Sequence, residues 1–148
     1  MDIQAVCVGL ARAAGTTATS GEKLTTFAYT PDSVVTPVCF VAEYDVDFDR
    51  TMGRGLDAID FTMRVLVSRA DDKSGAERLN NLLSGSGGPS LKEAIESERQ
   101  NGPGGTGLGG ACDDYHVRAA QGMRWYQHDQ ISYLGAEIRV HVIGSGTQ

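Results

Sequence analysis

The stretch EYDVDFDRTMGRGLDAIDFTMRVLVS, residues 43–68, decides the fold. In its first part Tyr44, Val46 and Phe48 alternate with Glu43, Asp45, Asp47 and Asp49. A period of two with apolar side chains on one side and carboxylates on the other predicts a strand with one wet face. After Arg50-Thr51-Met52-Gly53-Arg54-Gly55 the alternation resumes, with Ile59, Phe61, Met63, Val65 and Val67 against Asp60, Thr62 and Arg64. Two such runs around a glycine-containing connection predict a long antiparallel hairpin.

Upstream, Val38-Cys39-Phe40-Val41-Ala42 is an unbroken apolar run after Pro37, which suits a strand covered on both faces. Before it, Leu24 to Tyr29 reads as a strand that stops at the Pro31-Asp32 turn, and Thr16 to Glu22 as a polar turn. Ile3, Val6, Cys7, Leu10 and Ala14 recur at helical spacing, with Asp2 as N-cap and Gly15 where the helix ends.

Downstream, Asp71 caps an expected helix to about Leu83, whose stripe is Ala76, Leu79, Leu82 and Leu83. Ser90 and Glu93 have the spacing of a capping box for a second helix, Leu91 to about Arg99. Six glycines in the nine residues Gly102 to Gly110 make the region 101–111 a loop, because glycine loses most conformational freedom on ordering. Two further strands close the chain: Tyr115 to Ala120, extended towards Tyr126, and Ile131 to Ile143 beyond a turn at His128-Asp129-Gln130. Leu134, Ala136, Ile138, Val140 and Val142 share one face of the last strand, and Glu137, Arg139 and His141 the other. Helix, strands, helices, strands in that order predict one α+β domain over residues 1–148: a mixed or antiparallel sheet with helices on one face.

Composition narrows the function. A formal net charge of −6, with no cluster of Lys and Arg, argues against nucleic-acid binding, which draws its affinity from basic groups that release counterions. No apolar run approaches the ~20 residues that span a bilayer, and the first residues lack the basic and apolar regions of a leader, so a cytosolic origin is expected. Cys7, Cys39 and Cys112 offer neither a disulfide framework nor a zinc spacing, and read as buried reduced thiols.

Chemical motifs fail on context. Asp45, Asp47 and Asp49 copy the opening of a calcium-binding loop, but its sixth position is Arg50 and its twelfth Leu56, where Gly and Glu are required. Gly102 to Gly107 spells GxGxxG, yet no strand precedes it and no helix follows. His116, His128 and His141 show no metal-ligand or nucleophile spacing, and Trp125 and Tyr126 read as sheet packing. No cofactor, metal or catalytic residue is expected, and an enzyme or ligand-binding domain built on Asp45, Asp47, Asp49 and a distant histidine is the remote alternative. Arg50, Met52 and Arg54 stand out, because a loop tip has no core to fill and Arg and Met are enriched at protein interfaces. With the carboxylates behind them, they suit head-to-tail contacts between copies; a solvated, mobile hairpin tip in the isolated chain is the equal alternative, and both hold if the loop orders on assembly.

Several stretches in order carry a likeness. They are Tyr29-Thr30-Pro31-Asp32-Ser33, the run from Asp47 to Asp57, Val65 to Asp72, Gly85-Ser86-Gly87 before Ser90 to Glu96, and Tyr133-Leu134-Gly135-Ala136-Glu137. Together they resemble the tail terminator proteins of siphovirus-type bacteriophages, those of actinobacteria above all, over almost the whole chain. The resemblance implies an α+β subunit, no catalysis, and a hexameric ring on the end of the tail tube. That ring stops tube growth and receives the head-side connector, so the partners are other copies of the chain, the major tail tube protein and the head-closure protein. The protein would sit at the head–tail junction of the virion and in the host cytoplasm during assembly. By analogy Asp47, Asp49, Arg50, Met52, Arg54 and Asp57 fall to the subunit or tube contact. A head-closure, connector or minor tail protein of the same virion is the alternative.

Overall fold

The computed structural model describes residues 3–15, 24–32, 37–47, 56–68, 73–84, 90–99, 102–128 and 130–145. The expected caps Asp2 and Asp71, the turn at 16–22 and the connection 48–55 lie outside them. Five strands form one mixed sheet: β1 (Thr25–Phe27), β2 (Val38–Asp47), β3 (Leu56–Ser68), β4 (Asp114–His128) and β5 (Ile131–Ser145). Their spatial order is β1-β2-β3-β5-β4; β1 runs parallel to β2, and every other pair is antiparallel. Among the described residues three α-helices, α1 (Ile3–Ala14), α2 (Lys73–Leu82) and α3 (Leu91–Glu96), complete the α+β domain.

The core lies between the helices and one face of the sheet. Val6, Cys7 and Leu10 of α1, Leu79 and Leu82 of α2, and Leu91 and Ile95 of α3 bury against Ile59, Phe61, Met63 and Val65 of β3 and Ala136, Ile138, Val140 and Val142 of β5. The alternations seen in sequence therefore point their apolar members at the helical layer.

β2 is one strand where the sequence suggests two. Val41 pairs with Met63 and Glu43 with Thr62, so Ala42 is an extra residue in a bulge. An extra residue exchanges the two faces of a strand. Cys39 and Val41 point inward before the bulge, and Val46 packs against the same core after it. The apolar run at 38–42 hid that change of phase. Val38 and Phe40 do bury on the opposite face, with Leu66, Tyr126 and Tyr133, so this end of β2 is covered on both sides as expected. That cover comes from the far end of the β4–β5 hairpin, which bends over the outer face beyond β4's irregularities at Val117/Ala119 and Gln121/Arg124.

α3 stops at Glu96, earlier than expected, and turns follow to Arg99. Its cap is as expected on the hydroxyl side: Ser90 Oγ accepts the Glu93 N–H at 3.3 Å. Arg12 grips Glu98 with two bonds of 3.1 Å, and Arg99 grips Asp114 at 2.8 and 3.0 Å, tying α1 and β4 to the segment after α3.

The glycine-rich loop folds back on its own chain. Gly102 N–H donates to Thr106 O, Gly107 N–H to Cys112 O and Leu108 N–H to Glu98 O. Leu108 is buried beside Gly9, where an added Cβ would lie 3.0 Å from the Leu108 Cβ. Glycine is required at 102, since a Cβ there would meet the Gly110 nitrogen at 2.5 Å.

Candidate functional site: the outer face and open edges of the sheet

The face of the sheet away from the helices carries rows of charged side chains, and strand register sets their layout. One row across β2, β3, β5 and β4 reads Asp45, Asp60, His141, His116. The next reads Glu43, Thr62, Arg139, Ala119, and beyond it Phe40, Arg64, Glu137, Gln121. In the first two rows acidic residues lie towards β2 and basic and imidazole groups towards β5 and β4, while the third row reverses the order with Arg64 on β3 and Glu137 on β5.

Within the first row, His141 Nδ1 lies 2.7 Å from Asp60 Oδ1, and an Arg118 nitrogen reaches the same oxygen at 3.3 Å. A carboxylate can only accept, so Nδ1 carries the hydrogen. The rings of His116 and His141 sit 5.6 Å apart, so two of the histidines that the sequence left scattered are cross-strand neighbours. His128 is separate, donating Nε2–H to Pro31 O at 2.7 Å and packing on Phe40. An Asp–His pair can serve a nucleophile, but among the described residues no hydroxyl or thiol bonds to the other nitrogen of His141. Among the described residues no three His, Cys, Asp or Glu side chains are placed to share a metal ion.

Burial raises the Asp60 pKa, but the hydrogen bond from His141 and the charges of His141, Arg118 and Arg139 outweigh it and hold the carboxyl below its ordinary value. A carboxyl more acidic folded than unfolded stabilises the fold above its unfolded pKa, and that contribution is lost as the pH falls through the folded value. Glu96 and Asp114 are also depressed, so acid sensitivity is shared. Asp60→Asn should therefore flatten the fall of stability with acid below about pH 4 while sparing the other two contributions. Thermal melts of both proteins from pH 6 to pH 2 check this, and parallel curves would contradict the Asp60 assignment.

Arg64 of the third row and Arg124, which pairs with Gly135 beyond it, lie on the Tyr126 ring, each guanidinium carbon 4.8 Å from its centroid. Glu137 pairs with Arg64 at 3.0 Å and lies 3.9 Å from Arg124. The Tyr126 hydroxyl donates to Gly122 O at 2.6 Å. Tyr126 packs as the sequence suggests, whereas its neighbour Trp125 is 41% exposed and does not. The three thiols are free and buried, and burial pushes Cys39 and Cys112 up to about 12, which leaves them poor nucleophiles.

Of the residues assigned by analogy to the subunit or tube contact, Asp47 ends β2 and Asp57 lies at the start of β3. Asp47 pairs with Ala58, so the connection leaves and re-enters at one end of the sheet. Asp49, Arg50, Met52 and Arg54 fall outside the described residues.

What sequence reasoning missed is the edges. Among the described residues β4 borders the sheet along its whole length, and β1 with Thr30 covers only 38–41 of β2, so 43–46 is a second edge that no described strand covers. Exposed aromatic and thioether groups stand at both: Tyr44 (47%) on β2, Met123 (60%) and Trp125 on β4. Beside Tyr44 an open groove of about 280 Å³ is lined by Ile3, Cys7, Tyr29 and Val41. No protein-family model matches the chain, and no curated protein is significantly similar to it.

Proposed function

We propose that the protein is a ring-forming tail terminator of a long-tailed bacteriophage, acting by binding and not by catalysis. Six copies close a ring on the last ring of the tail tube, stop its growth and present the opposite surface to the head-side connector. The carrying observation is the order of the quoted sequence stretches from Tyr29 to Glu137, and the α+β fold is compatible with it. Two features of the sheet support a binding role: an outer face with rows of charged side chains, and, among the described residues, long strands that leave two edges uncovered. The ends of β2 and β3 bring Asp47 and Asp57 to one end of the sheet, where the Asp47, Asp49, Arg50, Met52, Arg54 and Asp57 segment meets the tube or a neighbouring subunit.

Native mass spectrometry of the full chain, alone and with its tail tube protein, tests the stoichiometry. A sixfold species, free or on tube ends, is the expected result. A chain that binds the head-side connector but never the tube belongs one position further towards the head.

A further inference from the structure

We infer that copies of this chain join through their sheet edges, residues 43–46 of β2 in one copy pairing antiparallel with residues 123–126 of β4 in the next. This deepens the ring proposed above by naming the surface on which copies meet.

An open strand edge is a template for another strand, and proteins that must stay apart defend such edges. Here the defence is partial. On β4 the Glu96 carboxylate accepts the Val117 N–H at 2.9 Å, which blocks the first half of the edge. Along 119–127, among the described residues, the Tyr126 hydroxyl on Gly122 O is the one bond to the backbone from outside the β4–β5 ladder. On β2, β1 occupies 38–40 and the Thr30 hydroxyl approaches Val41 O at 3.5 Å; no described residue bonds to the outward edge of 43–46.

Direction and chemistry then select the partner. β2, β3, β5 and β4 alternate in direction, so the β4 of one copy beside the β2 of a like-oriented copy continues the antiparallel order, staggered along the strands because Asp45 stands level with His116 within one copy; a sheet closed with such a stagger has strands tilted to its axis. With Tyr44 opposite Trp125, both on the helical side, the exposed aromatics meet. Val46 then faces Met123. On the outer side Asp45 faces Arg124, whose side chain is 62% exposed. Pairing like edges fails the same test: β2 on β2 sets Glu43 and Asp45 against carboxylates, and β4 on β4 sets Arg124 against arginine, which costs stability across strands. The contact is therefore heterologous, the kind that propagates and closes into rings.

Both charged side chains are exposed, but Arg124→Glu gives up the Tyr126 ring and sets a carboxylate beside Glu137, so a melting curve accompanies each variant and Asp45→Arg, which touches neither, is the cleaner exchange. Arg124→Glu or Asp45→Arg should each weaken self-association at least about tenfold by sedimentation, and the two together in one chain should restore it. A second readout uses cysteines, since the native three are buried. Asp45→Cys and Arg124→Cys chains should form an intermolecular disulfide when mixed and not when oxidised separately, because directly opposed antiparallel residues lie within disulfide reach. Cross-linked chains that neither close nor cap tubes would uphold the edge contact and remove the terminator reading. Rings that form without the cross-link and ignore the charge exchange would overturn the edge contact and leave the ring. A chain that stays monomeric at high concentration and on tube ends would overturn the contact as well.

Discussion

Gly135→Ala should cost about 4 kcal/mol or more of folding stability, among the largest effects open to a one-carbon change. Gly135 sits in β5 opposite Leu66, and a Cβ built there would lie 2.2 Å from the Val65 carbonyl oxygen and 2.8 Å from Leu66 Cδ2. The obstacle is backbone in the central strand, and moving it breaks the β3–β5 ladder beside the irregularity at Leu66/Ser68. For a chain of this size that loss corresponds to a melting point lower by roughly 10 °C or more. Gly104→Ala is the comparison. Gly104 has φ of 68° but nothing within 4 Å of its added Cβ, so only the left-handed backbone is penalised, by about 1–2 kcal/mol. Equal melting points for the two variants would mean that β3 and β5 do not pair in this register.

Phe61→Ala should cost about 3–5 kcal/mol, the range for removing a fully enclosed aromatic ring. Phe61 is completely buried at the centre of β3, with the Tyr44 ring 5.6 Å away. Its neighbour Thr62 faces the other way, half-buried among Glu43 and Arg139, and Thr62→Ala should cost less than about 1 kcal/mol. Urea denaturation of the pair gives the difference directly. A larger loss at Thr62 would put the strand in the opposite phase and turn the charged face inward. Because Phe61 supports Tyr44, the first variant should also weaken association between copies, even at temperatures where it remains folded.

How much of this could be read from residue order depends on where the period of two survives. It survives in β3 from Ile59 to Val65 and in β5 from Ala136 to Val142, and there both the strands and their buried faces were legible. It fails at each extra residue. Ala42 hides within apolar neighbours, so a single β2 looked like two strands, and the irregularities in β4 at 117–119 and 121–124 blurred its length and the exposure of Trp125. The local signals at Ser90 and Glu93 worked because a cap is built from residues three apart.

Strand order is a different kind of information. Asp60 and His141 are 81 residues apart and meet only because β5 inserts between β3 and β4, so the His116–His141–Asp60 row has no local signature. The open edges are equally invisible in one dimension, since an edge is defined by the strand that is not beside it. In contrast, the glycine-rich segment could be recognised as a loop but not as a packed one. Its anchor is a single leucine, Leu108, whose burial depends on the nearby surface of α1 at Gly9.

The most direct test of the terminator reading is the length of tail tubes assembled with and without the protein, followed by averaging of tube ends in negative stain. Ring formation and tube binding predict that substoichiometric protein shortens the tubes and leaves a sixfold cap on one end. Tubes that grow to the same length with bare ends, at protein concentrations well above that of tube ends, would contradict it.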